Sequence, residues 1–463
     1  MKNLSGILNI TFERITIMKN ILILGAGKSS TALISYMLSK AEENDWLITV
    51  GDISKEAAEA KINNHPKGAA TYFSADDDVI RNHSIREADI VLSLLPHNLH
   101  AIVAADCVRY RRHFVCASYV SDEMKALHTS AENAGVLLLN ECGLDPGLDH
   151  MSAMRIIHEI QNNGGVITAF ESYAGGLIAP ESDDNPWHYK FTWNPRNVVL
   201  AGQGVAKFIW GNKVKYVPYN KLFERYDELQ VDGYGIFEGY PNRDSLKYVD
   251  TYQLKNLHTM VRGTLRTKGF CDAWNVFVQL GITDNSYQID GLKDLTWVEF
   301  IKLYIPHDAS LSIPEKLAQY LKITDRPDIL EKLEWLGLFS NEPIGMESGT
   351  PADVLLKLLE KNWKLKDGDK DMCVMKHLIE YTNAGKKYLV HSNMVAIGED
   401  EKITAMAKTV GLPMGIAATL ILQGKISEVG VVIPVKPEIY NPILDILADE
   451  HNIAFQESTE TIV

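Results

Sequence analysis

Ile21-Leu22-Ile23-Leu24-Gly25-Ala26-Gly27-Lys28-Ser29-Ser30 runs an apolar stretch directly into two closely spaced glycines, and residues 31–39 behind it have helical periodicity. Four apolar residues, two of them β-branched, read as a short buried strand. Gly25 and Gly27 permit a tight turn, and they let the N-terminus of the next helix face a pyrophosphate with exposed N–H groups and the positive end of its dipole. Ser30 stands where a third glycine or alanine is usual in G-x-G-x-x-G. A glycine pair alone is a weak sign; the strand before it and the helix after it make this one specific. Gly25, Gly27, Lys28, Ser29 and Ser30 are the expected cradle of a dinucleotide cofactor.

Outward from this turn, strand candidates at 21–24, 47–50, 71–73, 90–94, 113–116 and 136–139 alternate with helical runs such as 31–39, 99–110 and 122–134. Short buried strands separated by helices imply a parallel sheet covered on both faces. Residues 18–142 are therefore expected to form a doubly wound Rossmann domain in an α/β protein. Asp52 ends the second strand, 25 residues past Gly27, close to the spacing at which a carboxylate accepts hydrogen bonds from the adenosine ribose. NAD is the expected cofactor, with NADP possible because Lys55 is near. Leu94, Leu95 and Pro96 follow the fourth strand, where the carboxyl edge of the sheet should carry the chain over the dinucleotide. His97 beside them is a candidate acid–base group, since imidazole titrates near neutrality, although a lone loop histidine more often has no such role.

The chain has 463 residues, 46% hydrophobic and 23% charged, which suits two or three globular domains. A net charge of -14, from 46 basic and 60 acidic residues, argues against nucleic acid or an anionic membrane as a partner. An anionic substrate would have to meet local arginines. Cys107, Cys116, Cys142, Cys271 and Cys373 are widely spaced, with no CxxC pair, which suggests neither a zinc ribbon nor a disulfide framework and fits a reducing cytoplasm. Asp149-His150 and Asp183-Asp184 lack a zinc ligand set, so no metal is expected. Residues 1–17 lack the features of a signal peptide and are expected to be an N-terminal extension, with an edge strand as the alternative. No stretch reads as approaching the roughly 20 apolar residues of a membrane span.

Five further strings carry a family resemblance: Ala117-Ser118-Tyr119-Val120-Ser121, residues 140–150 (NECGLDPGLDH), residues 175–182 (GGLIAPES), Tyr240-Pro241-Asn242-Arg243-Asp244-Ser245 and Val261-Arg262-Gly263-Thr264-Leu265-Arg266. In this order they resemble segments of the glutamate-forming saccharopine dehydrogenase family. The resemblance spans most of the chain from Ile21 onward. It implies hydride transfer between a nicotinamide and the secondary amine of saccharopine, interconverting saccharopine and water with L-glutamate and 2-aminoadipate 6-semialdehyde. It also implies a homodimer and substrate contacts from Ser118, Tyr119, Asp145, Gly175, Trp193, Arg243 and Thr264.

The residue types suit that substrate, which carries three carboxylates and two amino groups. Arg243 offers a guanidinium fork, Asp145 an acidic partner for ammonium, and Trp193 an apolar wall. In isolation Asp145-Pro146-Gly147 would read as a turn and Arg243 as a surface ion pair; Arg262 and Arg266 could equally serve the pocket or the surface. No acid–base residue declares itself, and Tyr119, Asp145 and His97 are the candidates.

Beyond the nucleotide domain, glycine- and aromatic-rich segments suggest mixed strands, and helical signals dominate at 295–304, 314–321, 327–336 and 351–365. A strand is expected at 387–395 and helices at 404–410, 416–423 and 442–451. The resemblance sets the domain plan: a mixed α/β substrate and dimerisation domain at 143–291 and 378–440, a helical insertion at 292–377, and a C-terminal helix in 441–463 returning to the Rossmann unit. Two other readings remain: an imine reductase of the carboxynorspermidine type, and a non-catalytic redox sensor that binds dinucleotide.

Overall fold

The computed structural model of the protein describes residues 18–462, so the expected extension at 1–17 lies outside the described residues. The first half alternates β1 (Asn20–Leu24), α1 (Thr31–Asn44), β2 (Leu47–Asp52), α2 (Lys55–Ile62), β3 (Gly68–Tyr72), α3 (Asp78–Arg86) and β4 (Ile90–Ser93). It continues with α4 (His100–Tyr110), β5 (His113–Cys116), α5 (Asp122–Ala126), α6 (His128–Ala134) and β6 (Leu137–Leu139). These strands pair in parallel in the order β3-β2-β1-β4-β5-β6. Along β1, Ile21 and Ile23 enter one apolar core while Leu22 and Leu24 enter another, as side-chain alternation in a sheet covered on both faces requires. Strand order reverses at β1, which opens a crevice between the carboxyl ends of β1 and β4.

The second half begins with α7 (Leu148–Asn162), β7 (Val166–Ile178), α8 (Pro195–Val199), β8 (Val205–Trp210), β9 (Lys213–Pro218), β10 (Asp227–Val231) and β11 (Gly235–Pro241). Then come α9 (Lys247–Thr251), β12 (Thr259–Thr267), α10 (Phe270–Leu280), β13 (Ile289–Asp290), α11 (Trp297–Lys302), α12 (Ile313–Leu321), α13 (Pro327–Trp335), β14 (Ser348–Gly349) and α14 (Pro351–Asn362). Thr296, Ser312 and Thr350 open α11, α12 and α14 with capping boxes closed by Glu299, Glu315 and Asp353. The chain ends with β15 (Asp371–Asn383), β16 (Lys386–Ile397), α15 (Ala405–Leu422), β17 (Gly430–Val432), α16 (Pro437–His451) and β18 (Gln456–Ile462). A mixed sheet runs β10-β11-β12-β7-β15-β16-β18, with β8 on β12 and β9 on β8.

Several expected boundaries are corrected. The helical insertion was expected to reach residue 377, but 371–377 already belong to β15; every one of these residues is buried, so the strand shows no alternation to read. Residues 404–423 form the single helix α15, not two. Its Gly411 and Pro413 look like breakers, yet a Cβ at Gly411 would lie 2.9 Å from the Leu33 backbone nitrogen, so this glycine seats α15 against α1. By length and composition α15 is also apolar enough to cross a membrane, contrary to expectation, but 83% of it is buried inside the protein. The return to the nucleotide domain was expected after residue 440. Instead β17 extends that sheet beside β6, and three residues are too few to signal a strand. Finally, α16 starts at Pro437 with Pro442 inside it, and the last described residues form β18 at the outer edge of the mixed sheet.

Candidate active site

The glycine turn occupies the crevice where strand order reverses. Gly25 has φ 101°, which glycine adopts without the steric cost other residues incur, and a Cβ there would lie 3.2 Å from the Leu94 carbonyl oxygen. Gly27 differs: its backbone is extended (φ −70°, ψ −173°), and a Cβ would meet nothing within 4 Å. The fold itself does not demand glycine at 27, and the open space there is the hollow a pyrophosphate would fill against the start of α1. Ser30 is buried and donates from Oγ to the Gly27 carbonyl at 2.8 Å, pinning the turn from inside. Lys28 is exposed, Ser29 half-buried, and Leu94, Leu95 and Pro96 lie on the β4 side of the crevice. One Asp52 oxygen accepts the Ala26 amide at 2.7 Å and the other the Ser54 amide at 2.9 Å. These residues fit a dinucleotide: a glycine turn with room beside it and a carboxylate at the end of β2.

His97 is exposed and stands away from the cleft described below. The buried imidazole is His100, which sequence reasoning missed; its Nε2 is 2.9 Å from Ser118 Oγ. Burial, followed by repulsion from His97, pushes His100 down to about 4, so at pH 7 it is neutral and orients Ser118.

A cleft of about 840 Å³ opens between α5, α6 and β17 on one side and β11 and α9 on the other. Tyr119, Glu141, Arg243, Tyr248 and Arg262 line it, with Lys125 and Lys247 among its cations. Arg262 and Asp149 are almost wholly buried. Asp145 accepts from Arg262 and from the Tyr119 hydroxyl, the latter at 3.0 Å, and Arg262 also donates to Asp149. The guanidinium lies 4.0 Å from the Tyr248 ring centroid. Burial works against the charged arginine, but Asp145, Tyr119 and Asp149 outweigh it and keep Arg262 ionised.

This network revises two expectations. Asp145, expected to receive a substrate ammonium, already has Arg262 as its counter-ion. Burial and then Asp145 push the Tyr119 hydroxyl well above its ordinary range, so it serves as a donor and not as a base. Arg243, by contrast, is exposed, with φ 49° and its guanidinium 5.3 Å above the Tyr119 ring. It forms no ion pair among the described residues, so the surface-pair alternative falls away and the guanidinium is open to an anionic ligand.

The turn at 143–147 sets this arrangement. Gly147 has φ 151°, and a Cβ on it would overlap the Gly143 backbone at 2.0 Å, so only glycine lets the loop fold back into α7. That fold places His150 beneath Glu141. His150 Nε2 is 2.8 Å from Glu141 Oε2, His150 Nδ1 is 2.7 Å from the Tyr252 hydroxyl, and Glu141 Oε1 accepts the Val120 amide at 3.0 Å. Glu141 has φ 56°, a strained conformation for a non-glycine residue. Burial disfavours its charge, but His150, the Val120 amide and Arg262 outweigh this and hold its carboxyl below the usual range. Sequence reasoning missed Glu141, His150 and Tyr252. The available signal was an acid and a histidine flanking a glycine-rich turn.

The remaining expected substrate contacts are less central. Thr264 Oγ1 accepts from Asn242, a cleft residue, at 3.1 Å. Ser118 is held by His100 behind the cleft. At Gly175 a Cβ would lie 2.6 Å from the Leu265 carbonyl oxygen, so glycine there serves close strand packing, and Trp193 packs between the two large cores. Neither lines the cleft.

Two family profiles divide the chain: "Saccharopine dehydrogenase NADP binding domain" matches residues 21–139 and "Saccharopine dehydrogenase C-terminal domain" matches residues 143–453. The chain belongs to the saccharopine dehydrogenase family. Within that family, the saccharopine dehydrogenase [NADP(+), L-glutamate-forming] of Schizosaccharomyces pombe is 35% identical over 442 residues, 94% of this chain and 97% of that protein. The Saccharomyces cerevisiae enzyme of the same name is 34% identical over 450 residues, 95% of this chain and 99% of that one. The apo structure of histidine-tagged saccharopine dehydrogenase (L-Glu forming) from Saccharomyces cerevisiae superposes with a TM-score of 0.86 at 31% identity, covering 96% of this chain and 100% of that one. Homospermidine synthase from Legionella pneumophila shares the fold alone, at 12% identity and a TM-score of 0.57 over 96% of this chain and 92% of that one.

Proposed function

We propose that the protein interconverts saccharopine and water with L-glutamate and 2-aminoadipate 6-semialdehyde. The observation that carries this reading is the unpaired Arg243 guanidinium facing Tyr119 across a cleft at the carboxyl edge of the nucleotide sheet. A planar fork free of protein carboxylates suits a polycarboxylate substrate, and Lys125 and Lys247 add cationic character. The names of the end-to-end relatives support the same chemistry. A bound nicotinamide would accept or return the hydride. The protein's part is to hold the substrate carboxylates on Arg243, keep Arg262 fixed by Asp145 and Asp149, and exclude bulk water from the reacting carbon. We also place the protein in the cytoplasm, which five buried, unpaired cysteines support, and assign it a homodimer on the family resemblance. Cell fractionation and light scattering test these two assignments.

We further propose that NAD(H) is preferred over NADP(H), although the fungal relatives are named for NADP(+). Asp52 sits where a 2′-phosphate would meet a carboxylate, and like charges at contact disfavour binding. Lys55, the cation that could offset it, lies 3.4 Å from Glu59. The test is absorbance at 340 nm with saccharopine and each oxidised cofactor. Reduction of NAD with a higher kcat/KM than NADP is expected, and Asp52→Ser should narrow that gap by about 1–3 kcal/mol. Reduction of neither cofactor overturns the activity; a tenfold native preference for NADP overturns the role of Asp52.

A further inference from the structure

The charges beneath the cleft do not cancel evenly. Arg262 is shared by Asp145 and Asp149. Glu141 is a third carboxylate, held in its ionised form, and its nearest candidate counter-ion is His150. The hydrogen bonds decide whether His150 is charged. Burial and then Asp149 raise the Tyr252 phenol far above its ordinary range, so it keeps its proton. Its oxygen is 2.7 Å from His150 Nδ1, and it has no other acceptor among the described residues. The phenol therefore donates to Nδ1, and Nε2–H of a neutral imidazole donates to Glu141. His150 steers the carboxylate without neutralising it. Glu141 consequently carries a negative charge into a cleft whose other lining groups include the cations Lys125, Arg243, Lys247 and Arg262.

We propose that Glu141 receives the cationic amine of an amino-acid substrate whose carboxylate is taken by Arg243. The proposal rests on the saccharopine reading and sharpens it. The nitrogen concerned is the α-nitrogen of the glutamate part, which in saccharopine is the secondary amine. A carboxylate that stays ionised is suited to this task, because it pairs with the ammonium in the ground state and with the positive charge left on nitrogen when hydride leaves the neighbouring carbon. The turn explains the strain at Glu141: a left-handed backbone there aims the side chain back over α7 toward His150 while one edge still faces the cleft. His150 and Tyr252 are positioning residues, acting only through Glu141.

The test compares L-glutamate with glutarate, which keeps both carboxylates and lacks the amine. Calorimetry on the intact protein saturated with NAD should show L-glutamate binding at least tenfold more tightly. In Glu141→Gln this preference should fall to twofold or less, with NAD affinity unchanged and the KM for saccharopine raised more than kcat is lowered. Glu141→Asp, which keeps the charge, should restore part of the preference. Glutarate binding the intact protein as well as L-glutamate overturns the proposal, as does a folded Glu141→Gln variant with the native preference. Should the glutamine variant not fold, the comparison on the intact protein still decides. If neither compound binds, it is the saccharopine reading itself that fails.

Discussion

The nucleotide crevice and the substrate cleft both serve anions, and they are built in opposite ways. The crevice uses one continuous stretch, residues 25–30, whose backbone and helix N-terminus do the work; the side chains hold the turn from behind, as Ser30 does. The cleft uses side chains scattered from Tyr119 to Arg262, and most of its charges are buried. A backbone site tolerates substitution except where a new atom fills the ligand's space. A buried charge network tolerates it least, because its members are balanced only jointly and the loss of one leaves another uncompensated in a medium of low polarity.

The largest expected effect tests the second half of that contrast. Arg262→Met removes the guanidinium and leaves Asp145 and Asp149 facing each other without a counter-ion. Breaking a buried pair costs about 3–5 kcal/mol, and here two carboxylates depend on one arginine. Urea denaturation should show a loss of that size. A loss below about 1 kcal/mol, within the range of exposed pairs, would mean that water reaches the network and that the two regions do not differ as argued.

Next in size is Gly27→Val, which tests the first half. The extended backbone at 27 suits valine, and its Cβ would project into empty space, so stability should change by less than about 0.5 kcal/mol. The same atoms occupy the hollow assigned to the pyrophosphate. Calorimetry should show NAD affinity reduced at least a hundredfold, about 2.7 kcal/mol or more. Native affinity in the folded variant removes the cofactor assignment from this turn.

The contrast also explains what the sequence could disclose. The strand, the glycine turn and the helix lie next to one another in the chain, so period and spacing locate the crevice without knowledge of the fold. Asp52 is legible for the same reason, one strand further on. β15 was hidden because both of its faces are buried, which erases the alternation that marks a strand. β17 was hidden because it is three residues long and pairs with β6, nearly 300 residues earlier in the chain. Glu141 and His150 lay within a quoted motif, but their roles depend on a turn that only Gly147 permits and on Tyr252 from a distant segment. Motif resemblance could mark Arg243 and Asp145 as important; it could not say that one guanidinium is free and that the other acid is already paired.

The smallest expected effect separates the two arginines. Arg262 is buried and paired, so its removal should appear as lost stability. Arg243 is exposed and unpaired, so its replacement should appear in catalysis alone. Lysine keeps the charge but presents a single ammonium in place of a planar fork, and it cannot donate two parallel hydrogen bonds to one carboxylate. Arg243→Lys should raise the KM for saccharopine about ten- to a hundredfold, roughly 1.4–2.7 kcal/mol. NAD affinity should stay nearly constant, because the crevice at Gly25 to Ser30 belongs to the other domain. The thermal midpoint should also hold, since among the described residues this guanidinium has no carboxylate partner to lose and only a 5.3 Å approach to the Tyr119 ring. Steady-state kinetics and a melt on that variant give two independent readings. A native KM would place the substrate carboxylate elsewhere in the cleft, with Lys125 and Lys247 the next residues to replace. A normal KM together with a lowered midpoint would show that Arg243 belongs to the same structural network as Arg262, and the distinction between a free and a committed guanidinium would fail.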